Sequence, residues 1–127
     1  MADWKYTAKA FLLADGGIDD REVSVLRKEL FADGKIDDVE MDFLLELKRD
    51  AKRLVPNFHF LMIEALKSFC LAGDAVKPIA TSLFRRWMQP GKVGYVEKRY
   101  LAEVRGAARQ IPQDFEQLYR QLTAGVK

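Results

Sequence analysis

The sequence predicts an all-α protein, a duplicated bundle of about seven helices. Three observations predict it. A helix-stop, helix-start phrase occurs twice, eighteen residues apart, as ADGGIDDREVSVL at 14–26 and ADGKIDDVEMDFL at 32–44. The chain also repeats on itself at an interval of 57 residues, which brings DGKIDDVEMDFLLELKRDAKR (33–53) onto PGKVGYVEKRYLAEVRGAARQ (90–110). Apolar residues recur at helical spacing, as in Leu44, Leu47, Ala51 and Leu54, or Leu61, Ala65, Leu66 and Phe69, and no stretch alternates convincingly as a strand would.

These signals place helices near 3–14, 20–32, 38–54, 58–72, 78–89, 95–110 and 113–123. The helix near 20–32 opens on Asp19 as N-cap, with Glu22 three residues on to complete a capping box. Ile18 and Val23 hold the two positions of a hydrophobic staple, and Gly16 or Gly17 stops the preceding helix. The helix near 38–54 repeats each device: Gly34 is the stop, Asp37 and Glu40 the box, Ile36 and Met41 the staple. Glycine suits the stop because only it takes a left-handed backbone without steric cost. Pro56-Asn57 reads as a short hinge before the helix near 58–72. With one residue of slip Phe11-Leu-Leu-Ala meets Phe69-Cys-Leu-Ala, so a degenerate turn follows at Gly73-Asp-Ala-Val-Lys-Pro. Pro78 then falls at the first helical position, where its missing N–H costs nothing. The fourth turn precedes the helix near 95–110, and Gly91, Lys92, Val96 and Glu97 keep their matches to Gly34, Lys35, Val39 and Glu40. In the two later turns most of the matching acids are gone. Pro90, Gly94 and Tyr95 stand for Asp33, Asp37 and Asp38, and Ala80 for Glu22.

At 127 residues the chain reads as one domain, 1–127, with internal repeats at about 11–53 and 69–110. Hydrophobic residues at 49% and charged residues at 31% are the balance of a globular protein. The single Cys70 makes no internal disulfide, the N-terminal residues lack the apolar core of a signal peptide, and no window approaches a membrane span. The expected location is the cytoplasm. Net charge is +2, but residues 1–50 carry −5 and residues 51–127 carry +7. An electrically two-ended chain points to a protein partner and to weak homo-association.

The repeated ADG-x-I-D-D-x-E turn, on paired helices in a duplicated chain, resembles the TerB-like family of bacterial proteins associated with tellurite resistance. The resemblance spans roughly residues 5–110, and the later turns depart from it by their lost acids. It implies an all-helical fold without catalytic activity, a role as a binding or scaffold domain in stress responses, and a metal-sensing function for the acids. By match to the motif, those acids are Asp15, Asp19, Asp20, Glu22, Asp33, Asp37, Asp38 and Glu40, with a divalent cation such as calcium as the ion they would take.

The residues themselves favour a plainer role. Residues 33–40 match the second half of an EF-hand, but the first half fails, since Glu29 and Phe31 fall at its first and third ligand positions. The two acidic turns sit at opposite ends of a helix about 20 Å long, too far apart to share one ion. Capping accounts for Asp19, Glu22, Asp37 and Glu40, and the helix dipole for Asp20 and Asp38.

A basic set, Arg85, Arg86, Lys98, Arg105 and Arg109, is the alternative site. Lys98, Arg105 and Arg109 share a stripe of the helix near 95–110, with Tyr95, Tyr100 and Trp87 interleaved. Such a patch would suit an adaptor for anionic membrane or nucleic acid, although a charge stripe is more often a solvated face. The lone His59 excludes a histidine metal cluster, and Ser24, Ser68 and Ser82 lack the context of a nucleophile. No enzyme active site is legible, and no small-molecule substrate suggests itself.

Overall fold

A computed structural model describes residues 17–32 and 34–124. Among these residues there are six helices and two short ladders. Backbone contacts divide the chain into two compact units, Met1–Ala65 and Leu66–Lys127. The expected helix near 3–14 lies outside the described residues.

In the first unit, strand β1 (Gly17–Ile18) leads into α1 (Asp20–Leu30), followed by α2 (Asp38–Asp50) and β2 (Arg53–Leu54). Helix α3 (Pro56–Cys70) begins in this unit and ends in the second. α1 and α2 start where they do because Asp19 and Asp37 cap them, and their apolar stripes, Val23, Leu26 and Leu30 on α1 and Met41, Leu44 and Leu47 on α2, are buried. Pro56 is not a hinge. It opens α3, at the position where a helix tolerates proline.

In the second unit, β3 (Leu71–Ala72) turns back antiparallel onto β4 (Ala75–Val76) through Gly73, at φ 63°. Then come α4 (Pro78–Trp87), α5 (Tyr95–Gly106) and α6 (Gln113–Thr123). α6 packs on α4 and α5 with Phe115, Leu118 and Leu122 buried, and Phe84 meets Phe115 edge-on at 6.1 Å.

The ladders are the main departure from expectation. Residues 53–54 and 71–72, expected as helix ends, are strands instead. Gly17 and Ile18 pair in parallel with Arg53 and Leu54, so β2 takes its partners from ahead of α1 rather than continuing α2. Two-residue rungs are set by where the helices bring their ends, and propensity over so few residues is too weak to resist.

Element boundaries recur at the interval seen in the sequence. α1 and α4 begin 58 residues apart, while α2 and α5, and α3 and α6, begin 57 apart. The parallel rung Gly17↔Arg53 has its counterpart in the bridge Ala75↔Gln110. Gly34 at φ 79° matches Gly91 at φ 83°. The buried residues Val23, Leu26 and Leu30 of α1 match Thr81, Phe84 and Met88, all buried.

One substitution in that series is costly. Thr81 stands where α1 has Val23; it is 3% exposed and its Oγ1 has no hydrogen-bond partner. A buried hydroxyl left unpaired costs about 1–3 kcal/mol, whereas valine keeps the shape and loses the penalty. Thr81→Val is therefore expected to raise stability by roughly 1 kcal/mol in urea unfolding. An unchanged or lowered midpoint would show that the hydroxyl is satisfied in solution.

Candidate functional site: acidic turns and basic helices

The acidic turns are built from helix starts. At α1, Asp19 has extended backbone (φ −97°, ψ 178°), and its Oδ1 accepts the Glu22 N–H at 2.9 Å. Glu22 reaches back, its Oε1 accepting the Asp19 N–H at 3.0 Å. α2 repeats the geometry: Asp37 Oδ1 accepts from Glu40 N–H at 2.8 Å and Glu40 Oε1 accepts from Asp37 N–H at 3.0 Å. Both capping boxes are closed. The four residues at the staple positions, Ile18 and Val23 at the first box and Ile36 and Met41 at the second, are all buried.

Of the remaining acids, Asp20 accepts from Asn57 Nδ2 at 3.0 Å, a contact that ties the start of α1 to the start of α3. Asp38 is exposed in the first turn of α2. Asp15 and Asp33 lie outside the described residues. Among the described residues no three carboxylate, histidine or thiol side chains are grouped as a metal site requires. Four of the six described acids, Asp19, Glu22, Asp37 and Glu40, engage helix-end backbone N–H groups. What the geometry does supply is satisfaction of helix-end N–H groups and compensation of the helix dipole.

The basic set does not form the expected stripe. α5 ends at Gly106, where the Ala107 N–H reaches back to Glu103 and Val104 carbonyls, so Arg109 lies beyond the helix. The Arg109 and Gln110 N–H groups both donate to the Asp74 carbonyl, at 2.7 and 3.0 Å, and this draws the chain off the helix axis. Arg105 faces α6: its Nε donates to Glu116 Oε1 at 2.8 Å and its Nη2 to Oε2 at 3.1 Å. The same guanidinium lies 5.1 Å from the Tyr119 ring, and Arg120 adds a bond to Glu116 at 3.2 Å. Arg85 and Arg86 are exposed in the last turn of α4, where cations offset the dipole, and Lys98 is half-buried. Two of the interleaved aromatics turn inward, Tyr100 into the core and half-buried Trp87 against it. Tyr100 is fully buried and Trp87 stacks on Phe84 at 5.7 Å. Only Tyr95, 86% exposed, stays at the surface.

The hydrogen bond from Arg105, followed by its charge and by Arg120, holds the Glu116 carboxyl below the usual carboxylate range. A depressed folded pKa contributes stability above the unfolded value, and this is lost as pH falls through the folded one. A carboxyl-carbon NMR titration is expected to place the Glu116 midpoint below the reference of about 4.3, and Arg105→Gln to return it toward that value. A midpoint unmoved by that change would break the assignment. Sequence reasoning missed this cluster: the four-residue spacing of Glu116 and Arg120 could have signalled their pairing, but nothing local signals the link to Arg105 on another helix.

His59 is half-buried with its ring edge-on to Phe58 at 6.2 Å, a core-edge position. Burial pushes the Cys70 thiol up to about 12, leaving it an inert core group. A shallow depression of about 190 Å³ is lined by Gly17, Ile18, Asp19, Arg53, Leu54 and Val55, with Gly17 packed closely on the Arg53 side chain. No described helix is long and apolar enough to cross a membrane. Comparison with known proteins adds no relative: no family model, curated protein or solved structure matches the chain.

Proposed function

We propose that the chain is a non-enzymatic binding or scaffold domain of TerB-like type. In this reading it is a duplicated helical bundle that serves a cytoplasmic bacterial stress response related to tellurite resistance, through a protein partner. The observation that carries it is the repeat: shared element boundaries, matched rungs and matched glycines support two copies of one helix-turn-helix plan. Its acidic turns act first as helix punctuation, because both capping boxes engage the carboxylates with backbone. The rival reading, a basic-surface adaptor, is weakened because Arg105 is paired and Arg109 is off the helix.

A calcium titration tests the metal-sensing part. Asn caps about as well as Asp, and Gln replaces Glu in a capping box. Asp37→Asn with Glu40→Gln should therefore cost only the dipole attraction, about 0.3–1 kcal/mol each. A cation site would add stability to the wild type on adding calcium and none to the double variant. Wild-type melting and amide spectra unmoved by millimolar calcium reject metal sensing and leave the caps. Expression in a tellurite-sensitive bacterial host tests the physiological part, and unchanged tolerance would reject it.

A further inference from the structure

We draw no further inference here: the strongest candidate, the cationic surface patch between the end of α4 and the start of α5 with exposed Arg85, Lys92 and Tyr95, carries nothing, because Arg85 offsets the α4 dipole and nothing in the structure shows what covers the patch.

Discussion

Leu44→Ala and Leu101→Ala are each expected to destabilise the chain by about 2–5 kcal/mol, the range for a leucine removed from a closed core. The two residues hold matching positions on α2 and α5, and both are 0% exposed. Deleting either side chain loses its transfer free energy and leaves a cavity that rigid helix backbones only partly refill. Against a total stability of roughly 5–15 kcal/mol, such a loss is large. Urea unfolding followed by circular dichroism measures it. A loss under about 1 kcal/mol at either site would mean that the helix does not face the core as described.

The second large effect is conformational. Gly34 sits at φ 79°, and among the described residues nothing beyond its chain neighbours lies within 4 Å of the place a Cβ would occupy. Space is therefore no obstacle, and the whole cost of a side chain is that of the left-handed backbone. Gly34→Val should cost about 1–2 kcal/mol, because a β-branched residue suffers most there. Gly34→Asn should cost clearly less, since asparagine visits this region more readily. Gly91, at φ 83° with the same open surroundings, should show the same order. Equal melting temperatures for the valine and asparagine variants would show that the turn re-forms in another conformation.

The helix starts were legible in sequence because capping is local chemistry. Asp19 with Glu22, and Asp37 with Glu40, are three residues apart, and the contacts they make are those their spacing implies. Gly34 and Gly91 were legible for the same reason. The rungs were not, because Gly17 and Arg53 are brought together by two intervening helices and carry no pattern of their own. The basic stripe misled for a related cause. Periodicity places Lys98 and Arg105 on one face, but it shows neither that Glu116 awaits Arg105 on α6 nor that Asp74 captures the chain after Gly106. Tyr100 and Trp87 look like surface aromatics among bases until the packing of Phe84 takes them inward.

The rungs also bear on the order in which each unit is assembled. Gly17↔Arg53 and Ala75↔Gln110 join the residue ahead of one helix to the residue after the next, closing a helix pair into a ring. Such a closure spans two helices and a turn, so its entropy is lost in one step and is repaid only once both helices have docked. The capped helix starts form from neighbouring residues and carry no such delay. The buckle is thus expected to fasten last in each ring. Weakening it, as a bulkier residue at Gly17 against Arg53 would, should speed unfolding while leaving the folding rate nearly untouched.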